Sequence, residues 1–289
     1  MDYKNVIYEK DGGIATITLN RPEKLNALDF LGDGGITDDF YGALDEAAVD
    51  DELKVVIIKG AGSSFCTGHD LGRVFKVYEE LDEDPGKRRP SQRARLSVDR
   101  RAVEKYRDLL LHPRITIAQI HGYCVGEGKL ISDYCDISIA AEDAQIGFTE
   151  TELGPIGSWG TFMPLFLSVG YKRARWLGLM GEYLTGREAE DIGLISKAVS
   201  ADKLDEEVLR VAKKLSLHPK DGIAIGKACH HLLLDILGIS KALEHSYITH
   251  SLFTNMRLEP EEFNFLKERK GKGARKAFHN RGKRFKQTD

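Results

Sequence analysis

Two glycine-rich junctions, each at the end of an apolar run, constrain this chain more than any other feature. Ile115-Thr116-Ile117-Ala118-Gln119-Ile120 is short, apolar and β-branched, the pattern of a buried strand. It runs into His121-Gly122-Tyr123-Cys124-Val125-Gly126-Glu127-Gly128-Lys129-Leu130, and Leu130 to Asp136 predicts a helical turn or two. A second junction lies upstream, where Val55-Val56-Ile57-Ile58-Lys59-Gly60 leads into Ala61-Gly62-Ser63-Ser64-Phe65-Cys66-Thr67-Gly68-His69-Asp70-Leu71. Glycine lets main chain approach a ligand closely. A strand-to-helix junction also presents N–H groups without internal acceptors, which suits a negative charge or a carbonyl gaining one. Two such loops, each offering one N–H to the same oxygen, have the geometry of an oxyanion hole.

The rest of the chain fits an α/β protein. Val6–Lys10 and Ile14–Leu19 alternate with period two across Asp11-Gly12-Gly13, which predicts a β-hairpin. A helical period carries Phe40, Leu44 and Ala47-Ala48 toward Val49. The 55–59 run does not alternate, so it is expected to be covered on both faces. Residues 73 to 112 are rich in charge, with a turn at Asp82 to Pro90 and a helix from Leu96 to Leu111 ended by Pro113. Arg88, Arg89, Arg93, Arg95, Arg100 and Arg101 read as a solvated face. Ile137–Ala141 is another short strand, and Ile156 to Thr161 is rich in glycine. Helices are predicted at 162–169, 172–180, 187–191, 201–217, 222–237, 239–253 and 260–270, with Thr185 and Glu188 spaced as a capping box. Strands thus dominate the first half and helices the second. Residues 1–200 form an expected catalytic core, and 201–289 a helical region for oligomerisation and active-site covering.

Composition narrows the function classes. With 42% hydrophobic residues, 30% charged residues and a formal net charge of −3, the chain has no overall basic excess of the kind that marks a nucleic-acid partner. No apolar run reaches the roughly 18 residues of a membrane span, and Met1 to Asn5 lacks the apolar core of a signal peptide. Cys66, Cys124, Cys135 and Cys229 show neither CxxC spacing nor a zinc pattern, so free thiols in a reducing, cytoplasmic setting are expected.

In their order along the chain, these segments resemble the crotonase (enoyl-CoA hydratase/isomerase) superfamily. The matching residues are Asn20-Arg21-Pro22 with Leu25-Asn26-Ala27-Leu28, Phe65 to Leu71, Gly122 to Gly128, and Asp136 to Ala140. Ala144 to Gly147 with Glu150 to Gly154, and Leu184-Thr185-Gly186 with Ala189 to Val199, complete the set. The resemblance implies a spiral of ββα units with a C-terminal helical trimerisation region, assembled as a homotrimer or hexamer. It implies an acyl-coenzyme A substrate and a thioester enolate held by two main-chain N–H groups, which fall on His69 and Glu127. No cofactor is expected to stay bound; coenzyme A arrives as part of the substrate. No metal and no membrane partner is expected.

By the same resemblance, Glu150 matches the acid/base, and Lys24, Leu25, Ala27, Cys66, Thr67, Gly68, Asp70, Leu71, Tyr123, Gly126, Gly128, Leu130 and Trp159 fall along the expected substrate path. Phe278 and Arg281 match tail residues that reach a neighbour's coenzyme A, and Arg21, Lys24 and Arg73 are candidate phosphate cations. Two departures bear on the reaction. Leu130 stands where the family's hydratases carry their other glutamate, and Glu127 stands where glycine is usual. The Glu127 carboxylate then faces either the reacting groups, as a second catalytic carboxylate, or solvent or a subunit contact, and Asp133 and Glu152 are further candidates for holding a water. Ser158 has no assignable histidine partner, and Trp159 would line a pocket for a bulky or cyclic acyl group. His121 reads as structural; the His69 ring is a candidate contact for the ligand. Hydration, isomerisation, and hydrolysis of a thioester or a β-dicarbonyl C–C bond stay open. A non-catalytic or RNA-binding role rests on Leu130 and the basic tail.

Overall fold

The structure is a computed structural model that describes residues 2–29, 32, 34–71, 91–148, 150–153, 162–253 and 259–285. Its chassis is a six-stranded sheet in the order β1-β2-β3-β4-β6-β9. β1 (Val6–Asp11) and β2 (Ile14–Leu19) form the expected antiparallel hairpin, with Gly12 at φ +57 in the turn. β3 (Val55–Gly60), β4 (Ile115–Ile120), β6 (Ile137–Ala141) and β9 (Lys197–Val199) then add in parallel. Val55 to Ile58 are all buried, as a parallel strand covered on both faces requires.

A second, three-stranded sheet is made of β5 (Tyr123–Val125), β7 (Gln145–Gly147) and β8 (Tyr183–Thr185), in the order β5-β7-β8. Between the sheets runs the short helix α3 (Glu127–Tyr134), buried at Gly128 through Ser132 and again at Tyr134. α1 (Ile36–Val49) covers the hairpin with Ile36, Phe40, Ala43, Leu44 and Ala47. α2 (Gln92–Leu110) turns Val103, Tyr106 and Leu109 inward toward α3.

The second half is helical. α4 (Met163–Met180) replaces the two helices predicted at 162–169 and 172–180. It bends at Gly170, whose φ of +77 lies outside helical values. α5 (Gly186–Asp191) opens on the predicted capping box, with Thr185 accepting from the Glu188 N–H and Glu188 accepting in return. α6 (Leu204–Leu215) packs on β3, β4 and β6, so the region beyond residue 200 also covers the sheet. α7 (Lys220–Ile236) precedes α8 (Ile239–Phe253), which packs against α2. α9 (Phe265–Lys272) and α10 (Ala274–Phe285) fold back together, and α10 reaches the 3-10 turn Glu150–Leu153.

Candidate active site

The two glycine junctions lie against each other. Phe65 N–H donates to the His121 carbonyl (2.8 Å), Cys66 N–H to Tyr123 (3.0 Å) and Val125 N–H to Cys66 (3.1 Å). The approach is too close for a side chain at Gly128, where a Cβ would stand 2.5 Å from the Cys66 carbonyl oxygen. Gly68 has φ +77, and a Cβ there would stand 3.0 Å from the Glu127 nitrogen. Glycine at 68 thus satisfies a left-handed backbone and keeps the space before Glu127 N–H clear. Glu127 is the first residue of α3, so its N–H belongs to the set a helix leaves without internal acceptors. His69 follows Gly68 directly, and its Nε2 lies 3.4 Å from Glu127 Oε2. The residues expected to supply the two N–H donors are therefore neighbours in space.

Glu150 opens the 3-10 turn after Phe148. Its Oε1 stands 2.8 Å from the place a Cβ on Gly126 would take, so this carboxylate lies directly over the glycine turn. Phe148 and Leu130 are buried, and Phe148 meets Phe162 edge to face with centroids 4.5 Å apart. Leu130 carries no ionisable group. Asp133, one candidate for holding a water, has a side chain only 5% exposed and paired with Lys129, whose ammonium also lies 5.0 Å from the Phe148 ring centre. Burial pushes the Asp133 carboxyl up, and the Lys129 charge opposes this.

Within this chain Glu127 does not face solvent, which removes that part of the alternative. It is 6% exposed, and its carboxylate accepts from the Tyr106 hydroxyl of α2. Burial first, then the Glu127 charge, pushes the Tyr106 phenol well up, so the hydroxyl stays a donor. Tyr106 stacks on Tyr134 at 5.5 Å, which fixes its ring. Sequence reasoning missed Tyr106. Its only signal was membership, with Val103 and Leu109, of an apolar stripe in an otherwise charged helix.

The other expected site residues divide into exposed and structural groups. Lys24 and Leu25 are exposed beside the Thr67 loop, where the Thr67 hydroxyl donates to the Leu25 carbonyl at 3.2 Å. Leu25 and Asn26 both have positive φ, 50° and 56°, an uncommon backbone for such residues. Asn26 sustains it, donating to the Ala61 (2.9 Å) and Ser64 (2.8 Å) carbonyls and accepting from Arg21 N–H (2.9 Å). Ala27 and Cys66 are buried beside it. Burial pushes the Cys66 thiol up to about 12, and it donates to the Asn26 carbonyl at 3.2 Å, so it is no nucleophile.

Arg21 departs from its expected phosphate role. Its guanidinium donates to the Ala27 carbonyl (3.0 Å) and pairs with Asp70 (3.3 Å) and Asp29 (3.8 Å), so its charge is matched within the chain. Tyr123 is exposed, edge-on to Tyr183 at 6.4 Å. The Leu71 carbonyl accepts from Arg269 of α9. α10, which carries Phe278 and Arg281, packs on this chain's own Glu150–Leu153 turn. His121 is structural as expected, its Nε2 donating to the Gly62 carbonyl at 3.0 Å. Arg73, Arg88, Arg89, Ser158 and Trp159 lie outside the described residues, as do the side chains of Glu152 and Phe278. Among the described residues no group of three His, Cys, Asp or Glu side chains is arranged to hold a metal ion.

Comparison with known proteins decides the family. The enoyl-CoA hydratase/isomerase family model matches residues 9–256. This chain belongs to the enoyl-CoA hydratase/isomerase family. It is 31% identical over 221 residues to a probable mitochondrial enoyl-CoA hydratase of Dictyostelium discoideum, covering 76% of this chain and 72% of that protein. It is 32% identical over 211 residues to a peroxisomal Delta(3,5)-Delta(2,4)-dienoyl-CoA isomerase of Arabidopsis thaliana, covering 70% and 72%. Among solved structures, an enoyl-CoA hydratase of Mycobacterium smegmatis superposes with a TM-score of 0.81 at 26% identity, over 97% of this chain and 95% of that one. The mixed α/β core with its mostly parallel sheet and helical C-terminal region is thus the crotonase fold. Both hydratase and isomerase relatives occur within the family at similar identity.

Proposed function

We propose that the protein acts on an enoyl-CoA thioester through an enolate, with the N–H groups of His69 and Glu127 as oxyanion donors and Glu150 as acid/base. One observation carries this reading: the Gly68 and Gly126–Glu127 turns touch, and the Glu150 carboxylate lies over them. Removing a proton from Cα or Cγ of the acyl chain moves negative charge onto the thioester oxygen. Donors already in place stabilise that charge without reorganisation, and losing one raises the barrier by about 3–4 kcal/mol. Glu150 takes the proton and returns it. A one-base shuttle between Cα and Cγ needs no second carboxylate, so Leu130 is compatible with double-bond isomerisation. Hydration would need another group to hold the water.

Two measurements test the proposal. The first is product analysis with 2-enoyl-, 3-enoyl- and dienoyl-CoA substrates. The second is turnover of E150Q, expected to fall by about 10²–10⁴-fold while coenzyme A thioester binding persists. Unchanged turnover in E150Q removes Glu150 from the mechanism.

A further inference from the structure

A carboxylate at residue 127 is an electrostatic liability in the mechanism just proposed, because it adds negative charge beside an oxygen that must gain more. Its placement shows how the fold manages this. Glu127 turns its carboxylate away to the Tyr106 hydroxyl and to the His69 ring, 3.4 Å off. Tyr106 comes from α2, His69 from the loop after β3, and Glu127 from the start of α3, so the contact ties three elements together. His69 and Glu127 are also the two residues whose main-chain nitrogens form the proposed hole. Main-chain hydrogen bonds join the loops a few residues earlier, at Phe65, Cys66 and Val125, and beyond them Gly68 has no side chain to set the spacing of the donors.

We propose that the Tyr106–Glu127–His69 contact is a side-chain clamp that sets the separation of the two oxyanion donors, with Tyr106 and the Glu127 carboxylate as positioning groups rather than proton carriers. The inference rests on the enolate reading above. It explains why glutamate is tolerated where a glycine N–H would suffice: the added side chain links the two donor loops, and its charge is directed to a phenol and an imidazole.

The test has a structural arm and a kinetic arm. Crystal structures of the wild type, Y106F and E127A, without ligand, give the distance between the main-chain nitrogens of residues 69 and 127. An opening of about 0.5 Å is expected in both variants, the scale at which a preorganised site fails; an unmoved separation overturns the clamp. Y106F removes one hydroxyl and keeps the test sound should E127A fold poorly. In kinetics, E127A and Y106F are expected to lose about tenfold in kcat with little change in KM. E127Q still accepts from Tyr106 and is expected to lose only about threefold. Equal losses in E127Q and E127A would overturn the clamp and assign the carboxylate to proton transfer. The enolate reading fails separately: E150Q would keep turnover while the nitrogen separation still opened in Y106F.

Discussion

Two acids bracket α3, and they are held in different ways. Among the described residues, Glu127 at its start accepts from one phenol, with an imidazole nearby. Asp136, just past its end, accepts from the Thr116 N–H (2.7 Å), the Thr116 hydroxyl (3.0 Å) and the Lys227 ammonium. Lys227 is itself buried and donates to the Arg114 carbonyl at 3.0 Å, and Asp136 N–H returns a bond to Thr116 at 2.9 Å. Each group there has fixed partners drawn from β4, α7 and the chain leading into β6. That end is a lock. In the proposed mechanism the other end keeps the Glu127 N–H in reserve behind Gly68. Where a chain saturates an acid it is joining elements; where it leaves donors over, it is presenting them to something else.

The contrast can be broken at either end. The largest effect is expected from G68A, which puts a Cβ 3.0 Å from the Glu127 nitrogen at a φ of +77. Turnover should fall about 10²–10³-fold, while stability drops by only about 1–2 kcal/mol for the left-handed backbone. Steady-state rates and denaturant unfolding read the two quantities, and a rate within a few-fold of wild type would remove Gly68 from the hole. At the other end, K227M removes the buried member of the pair and leaves the solvent-accessible Asp136 without its cation and the Arg114 carbonyl without its donor. A loss of about 1–2 kcal/mol in urea unfolding is expected for the lost charged hydrogen bonds, with turnover nearly intact; a selective loss of turnover would erase the distinction between the two ends.

The same end should also give a pH signal through His112. Burial holds this ring below histidine's ordinary 6.5, with Nε2 donating to the Leu44 carbonyl (3.1 Å) and Nδ1 accepting from Arg114 N–H (3.2 Å). Between 6.5 and the lower folded value, the unfolded chain binds the extra proton. Stability therefore falls as pH drops through that window. H112N should flatten this slope in pH-dependent melting curves, and an unchanged slope would exclude the ring. The smallest effect is expected from T116V, about 1 kcal/mol for the lost hydroxyl bonds, read as a shift in the urea midpoint with no change in kcat.

How much of this was legible in the chain follows from which interactions are local. β2, β4 and β6 begin and end where their apolar runs do, and α8 spans the predicted 239–253. The three-residue strands β5, β7, β8 and β9 were not legible, because their pairing comes from partners elsewhere in the chain rather than from their own pattern. α3 begins at Glu127 rather than Leu130, since Gly126 at φ +57 turns the chain earlier than the apolar period suggests. In the site, the glycine loops announced themselves because close backbone approach admits few other residues. Tyr106 did not, since it meets Glu127 from 21 residues away on a helix whose charges dominate its reading. Arg21 misled because a cation beside a ligand loop looks alike from sequence, whether it meets a phosphate or, as here, Asp70 and Asp29.

The tail has a last consequence. Arg269 grips the Leu71 carbonyl and α10 rests on the Glu150 turn of the same polypeptide. Within one polypeptide the C-terminal helices therefore fasten the loop after β3 to the turn that carries Glu150. A chain ended before α9 would leave both segments without that fastening.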